Sequence, residues 1–298
     1  MMTLPTATLA IGGFGFHEHR LAGPQPGLPP QYRPFAADCE PAVTCQVHST
    51  PRPRASEYDW RLVFDASPNW SLYRYGRQLL FRTMFLEALC DQELRHCDLF
   101  PLPGSEAVEA PISFFSYPLA ELISITLLAR ENGVLLHSCG VEVAGQALLF
   151  CGQSGIGKST MAGIWQGHGY RILSDDRVIV RQIDGRLMAC GTPWHGSAEL
   201  GCPAILPLAG IYLLGRGPAN RLTPVSGAHA LSLAIPNGFL PFWDKEAMEH
   251  CLSFLELCLA AVPCATLEFL PDEGVIPFLL AASALSDQGR RSSPDALP

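Results

Sequence analysis

Lysine is nearly missing from this chain: among 298 residues it occurs only at Lys158 and Lys245, and the other eighteen basic residues are arginines. Acidic residues outnumber basic ones, 28 to 20, giving a formal net charge of −8. So few clustered cations argue against a broad nucleic-acid footprint, because phosphate backbones are held by basic stripes. No uninterrupted apolar run reaches membrane-spanning length. The segment Met1 to Phe16 also lacks the basic start and long apolar core of a secretory signal. Eleven cysteines are present without a C-x-x-C pair or a metal-like Cys/His spacing, which argues against a zinc site and a disulfide framework. Cys251 and Cys258 read as core-facing helix residues. These absences predict a soluble, reduced, cytoplasmic protein with neither nucleic acid nor membrane as partner.

The length suggests two moderate domains. Prolines cluster between Pro24 and Pro53, and short strand-like runs alternate with turns across the first hundred or so residues. Examples are Thr44 to His48 and the pair Asp59 to Phe64 and Trp70 to Tyr75. We therefore expect a β-rich domain over residues 1–115. Pro118 then opens an amphipathic helix carrying Leu119, Leu122, Ile123, Thr126 and Leu127. A second domain over 116–285 is α/β, and a polar, proline-containing tail follows over 286–298. Within the second domain, Ala144-Gly145 and Asp184-Gly185 mark two hairpins, Ala209 to Leu214 reads as a buried strand, and Glu246 to Ala261 as a helix.

What the chain does contain is Gly152-Gln153-Ser154-Gly155-Ile156-Gly157-Lys158-Ser159-Thr160, a match at every defined position to the phosphate-binding pattern G-x-x-x-x-G-K-[ST]. From the chain's own composition a chance match is on the order of a few in a thousand. The apolar run Ala147 to Cys151 predicts a strand before it, and Met161 to Trp165 continues as a helix. Glycines let successive N–H groups face one anion, and the helix adds roughly half a positive charge at its N-terminus. Lys158 is expected to reach the β and γ phosphates, and a compact ammonium is what that position requires of an otherwise arginine-using chain. Ser159 offers its hydroxyl to magnesium, and Thr160 supports the first helical turn. The ligand this predicts is ATP with Mg2+.

A loop of this kind specifies a nucleotide and not a reaction. The pair Asp175-Asp176 ends the strand that returns after the loop helix. One carboxylate there can hold or orient magnesium while the other accepts a proton from an attacking hydroxyl; Ser-Asp-Asp also suits an ordinary strand end. His137 lies amid leucines, where a satisfied core histidine and a catalytic one are both open readings. His195 and Arg216 lie in polar loops, and solvent exposure accounts for them equally well.

Leu136-His137-Ser138, the loop 152–159 and Leu173-Ser174-Asp175-Asp176 together resemble, in order and spacing, the catalytic core of HPr kinase/phosphorylase. The resemblance is strong over about residues 130 to 183. Gly191-Thr192-Pro193-Trp194 is also similar to the HPr-kinase-related proteins of modified-peptide gene clusters, including lasso-peptide kinases. It implies the mixed-sheet core of the HPr-kinase and phosphoenolpyruvate-carboxykinase group. It also implies an ATP-dependent hydroxyl kinase, with Asp175 as base, Asp176 supporting it and joining Ser159 at the metal, and His137 in the same network. Glu199-Leu200-Gly201 is a partial echo of that family's Glu-Ile-Arg-Gly motif, so Glu199 is a further metal candidate. The implied partner is a peptide or protein bearing a hydroxyl, most simply a serine. A nucleotide-binding regulatory protein without transfer and a small-molecule kinase or carboxykinase-like enzyme are the alternatives. The sequence leaves open whether the chain forms a homo-oligomer.

Overall fold

A computed structural model of the chain describes residues 6–20, 27–53, 59–104 and 112–282. The expected tail lies outside the described residues, as do parts of the proline-rich stretch and of the loop after Leu102. Contacts group the chain into two compact units, 1–131 with 241–248, and 132–240 with 249–298. The division thus falls after Glu131, where the sequence reading put a boundary near 115.

In the first unit, β1 (Ala7–Ile11), β2 (Phe14–Arg20), β3 (Val43–Val47), β4 (Arg61–Ala66), β5 (Trp70–Tyr75), β6 (Gln78–Thr83), β7 (Leu86–Asp91) and β8 (His96–Pro101) form one sheet, ordered β1-β2-β3-β8-β7-β6-β5-β4. The period-two pattern is plain in β3, where Val43, Cys45 and Val47 are buried and Thr44 and Gln46 only half so. The strands expected around 59–64 and 70–75 are the antiparallel pair β4–β5. One expectation is corrected here, since Cys90 and Cys97 are joined in a disulfide. Antiparallel register sets them opposite each other on β7 and β8 with Cα atoms 4.1 Å apart, a proximity that no sequence spacing announces. The helix α1 (Leu119–Arg130) is also not amphipathic as expected, because every residue from Leu119 to Ala129 is buried.

The second unit is mixed α/β. Its strands β9 (Gly133–Val143) and β10 (Gln146–Cys151) form a hairpin whose turn residues, Ala144 (φ 49°) and Gly145 (φ 75°), both have positive φ, as a two-residue I′ turn demands. Then follow α2 (Lys158–Gly167), β11 (Ile172–Ser174), β12 (Arg177–Ile183), β13 (Arg186–Cys190), β14 (Ile205–Arg216), β15 (Arg221–Pro224), α3 (Gly227–Ala234), β16 (Gly238–Phe239), α4 (Lys245–Ala261), which begins in the first unit, and β17 (Cys264–Phe269). Two long strands each serve several partners. Residues 133–137 of β9 pair with β12 and 138–143 with β10. Likewise β14 pairs with β13 at its start and runs parallel to both β10 and β17 further on. Strand β10 therefore sits between β9 and β14, and the loop that leaves its end emerges between two different neighbourhoods.

Helix α2 is fixed behind that loop by its apolar face. Met161, Ala162 and Trp165 are fully buried, with Trp165 set edge-on to Tyr170 at 4.6 Å between ring centres. On the sheet, Phe150 stacks on Tyr212. The cysteines under the loop are core thiols, and burial pushes Cys151 up to about 12 and Cys264 up to about 11. Cys251 and Cys258 are buried on α4 as expected.

Residues 191–204 close on themselves through Gly191 N to Ala204 O (2.9 Å) and hold to the β11 end through two backbone bonds, Cys202 N to Leu173 O (3.0 Å) and Asp175 N to Leu200 O (3.2 Å). The closeness explains a glycine in the Gly-Thr-Pro-Trp phrase. A Cβ on Gly191 would lie 1.9 Å from Cys202 O and 2.6 Å from Leu173 O, both rigid backbone atoms. We expect Gly191→Ala to lower unfolding stability by at least about 2 kcal/mol, an overpacking effect that denaturant titration would measure. An unchanged midpoint would mean that these backbones separate freely.

Candidate active site

The loop 152–157 runs from the end of β10 to the first turn of α2. Gly155 (φ 78°) and Gly157 (φ 123°) occupy backbone conformations that a side chain strains, and a Cβ on Gly157 would meet the Phe269 ring at 2.8 Å. Gly152 is equally confined, its absent Cβ lying 2.5 Å from Ile156. Gln153, Ser154, Gly155 and Thr160 are exposed, while Ile156 and Ser159 are half-buried. Lys158 lies back along the loop and donates to Gly152 O (2.8 Å) and Gln153 O (3.2 Å). Its burial disfavours the charge and outweighs the nearby carboxylates, so its ammonium is held below the usual lysine range. An incoming polyanion would relieve that cost.

The two aspartates have different surroundings. Asp175 is completely buried, and its carboxylate is committed to backbone donors: Oδ1 accepts from Gly196 N (2.8 Å) and Leu200 N (3.4 Å), and Oδ2 from Ala198 N (2.9 Å). It ties down the loop 196–200 and has no face left for a ligand. Asp176 is partly exposed. It accepts from His137 Nε2 at 2.9 Å through Oδ1 and pairs with Arg177 at 3.4 Å through Oδ2. Burial alone would raise the Asp176 carboxyl, but the His137 hydrogen bond and the charges of Arg177, His137 and Lys158 outweigh it and hold it below the ordinary aspartate range.

Register brings this group to the loop. His137 is the last β9 residue paired with β12, opposite Arg177, and its carbonyl accepts from Gly152 N at 3.2 Å, so one residue touches both the aspartate strand and the loop. The ring of Phe239 lies against His137 at 5.8 Å and under the Arg177 guanidinium at 5.0 Å. Ser197, in the loop anchored by Asp175, donates to Ser159 Oγ at 3.2 Å.

Of the other candidates, Glu199 is exposed in that same loop, with φ 55°, and its side chain makes no contact with the group just described. His195 faces Gly196 O at 3.1 Å. Arg216, at the end of β14, donates to Gly155 O at 3.0 Å. Sequence reasoning could not have assigned Arg216, Phe239 or Ser197, because strand pairing over long separations brings them to the loop. Among the described residues no group of three or more His, Cys, Asp or Glu is arranged to hold a metal ion.

Comparison with known proteins gives one consistent relationship. The chain is 27% identical over 191 residues to the HPr kinase/phosphorylase of Lactobacillus delbrueckii subsp. bulgaricus, covering 59% of this chain and 56% of that protein. It is 42% identical over 111 residues to the HPr kinase/phosphorylase of Clostridium tetani, covering 37% of this chain and 33% of that one. Over part of its length the chain is similar to HPr kinase/phosphorylases, and it spans about half the length, or less, of these two relatives. Among solved structures it is similar to the HPr(Ser) kinase/phosphatase from Coxiella burnetii, with a TM-score of 0.32, 13% identity and coverage of 53% of this chain and 94% of that one. No protein-family model matches the chain.

Proposed function

We propose that this chain is an ATP-dependent kinase that phosphorylates a hydroxyl group, with a serine of a peptide or protein as acceptor. The observation that carries this reading is the joining of the glycine-rich loop to the His137–Asp176 pair through the Gly152 N to His137 O bond. On this reading that bond sets the loop that would hold the phosphate donor next to the carboxylate that would accept the proton. The loop amides and Lys158 bind the phosphate chain and take up the charge that spreads over the transferred group. Asp176, oriented by His137 and kept ionised, accepts the acceptor hydroxyl's proton as its oxygen bonds to the γ-phosphorus. The bridging P–O bond breaks on the opposite side, and ADP departs with that electron pair. In this reading Asp176 takes the base role that the family resemblance gives to Asp175, because Asp175 has spent its oxygens on the loop 196–200.

A magnesium ion suits the donors present, which are hard oxygens: the Ser159 hydroxyl, with phosphate oxygens and waters completing the shell, and Asp176 or Glu199 as the acidic candidates. Bound there, it would add positive charge at the β and γ phosphates. The similarity to HPr kinase/phosphorylases supports a kinase reading, and the acceptor in those proteins' name is a protein.

The test is intact-mass spectrometry of candidate serine-containing peptides after incubation with magnesium and ATP, run beside Lys158→Ala. Gain of one phosphate by a peptide with wild type, reduced at least about 100-fold in the variant, is expected. Nucleotide bound but never turned over, on peptides or small hydroxyl compounds, would replace the kinase by a nucleotide-gated regulator.

A further inference from the structure

The sheet of the first unit ends on β4, which has β5 on one side and no strand on the other among the described residues. Three of the chain's five tryptophans, Trp60, Trp70 and Trp243, gather at this edge. Trp70 and Trp243 meet edge to face at 5.1 Å between ring centres, Phe64 stacks on Trp70 at 5.1 Å, and Trp60 lies 5.8 Å from Tyr75. All five of these rings belong to the first unit. The three tryptophans and Phe64 are only half-buried, and Leu62 and Tyr75 are 49% and 40% exposed, whereas Trp165 and Trp194 are core residues.

Charge gives the edge a sign. Arg61 and Arg74 stand directly opposite each other on β4 and β5, both exposed, and neither has an ion-pair partner among the described residues. Like charges so opposed weaken a strand pair, and an incoming anion would relieve them. Local acids do not: Asp65 accepts from Ser67 N at 3.0 Å, Glu93 pairs with Arg77, and Asp59 touches neither arginine. Cross-strand partners share a face, so the two arginines lie on the same side of the sheet as Phe64 and Trp70. Trp, Tyr and Arg are the side chains enriched where protein partners bind most strongly.

Resting on the kinase reading above, we propose that this edge docks an acidic, extended segment of the polypeptide acceptor. Its carboxylates meet Arg61 and Arg74, and its apolar side chains meet Phe64, Trp70 and Trp243. The open main chain of an end strand can pair with an added strand. A bulge at Val63 interrupts β4, and a bulge and charges on an edge turn away long, flat pairings with another sheet. The occupant is therefore a short segment. A second copy of this chain is disfavoured, because symmetric pairing of two β4 edges brings two such arginine pairs together.

Fluorescence anisotropy of the full chain without nucleotide tests the surface apart from transfer, using a labelled octapeptide of alternating Glu and Val and its Lys-Val counterpart. Wild type should bind the Glu-Val probe at least about tenfold more tightly at low salt, a difference that shrinks as salt is added. Arg61→Glu combined with Arg74→Glu should reverse the preference without changing the melting profile, since both positions are exposed. On wild type, the bound Glu-Val probe should also slow amide exchange in residues 61–66. Equal binding of the two probes, or a preference untouched by the double variant, would overturn the docking surface and leave the kinase reading standing. A wild-type dimer that the double variant dissolves would give the edge to a second copy instead. With ATP and magnesium, a serine added to the Glu-Val probe should be phosphorylated with kcat/KM at least about tenfold above that of an uncharged serine peptide. Equal values beside intact probe binding would take the acceptor off this edge, whereas no transfer to any peptide would defeat the kinase reading on which the assignment rests.

Discussion

Asp176→Asn is expected to cut phosphoryl transfer by about 10²–10⁴-fold, the usual worth of a positioned general base, while nucleotide affinity stays within a few-fold of wild type. The amide keeps the size of the carboxylate and can still meet His137 across the 2.9 Å contact, but it cannot take a proton. Single-turnover transfer measured beside nucleotide titration separates the two effects. The pH dependence has a defined sign. Because the folded Asp176 carboxyl is depressed, its stabilising contribution is complete above the ordinary aspartate value of about 3.9 and is lost as pH falls through the lower folded value. Any fall in activity between pH 7 and 5 must then come from another group. Transfer that survives Asp176→Asn at the wild-type rate would return the base role to Asp175.

Asp175→Ala is expected to act on the fold, at a cost of about 3–5 kcal/mol. Removing the buried carboxylate leaves the N–H groups of Gly196, Ala198 and Leu200, all in half-buried residues, without their acceptor. Calorimetric or denaturant unfolding would show the loss, and hydrogen exchange would show it centred on residues 196–200, whose amides lose their acceptor. Activity would fall as well, because that loop brings Ser197 to Ser159. A variant with an unchanged melting profile and protected 196–200 amides would refute the anchoring role. The two substitutions are adjacent in sequence and opposite in kind, so together they decide which carboxylate serves chemistry and which serves architecture.

Three N-terminal strands, β3, β4 and β5, and both second-unit hairpins were legible because their signals are local. Alternation in Val43 to Val47 and the turn pairs Ala144-Gly145 and Asp184-Gly185 are fixed by a few neighbouring residues. The helix 119–130 was legible as a helix but not in its environment. Burial on all sides depends on what surrounds a segment, and its own spacing is silent on that. Cys90 and Cys97 illustrate the same limit, since only the β7–β8 register makes them neighbours.

At the candidate site, the glycine-rich G-x-x-x-x-G-K-[ST] pattern can be read from the chain alone, including the glycines whose φ of 78° and 123° other residues resist and the single loop lysine. That information is contiguous, so nine residues carry it whole. Pairing between distant strands is what turns Asp175 inward to three backbone N–H groups while Asp176 faces His137. The same holds for the arrival of Arg216 and Phe239 at the site. Adjacent residues at a strand end point in opposite directions, and which direction meets solvent, a ligand or another loop is set by pairings between strands far apart in the chain.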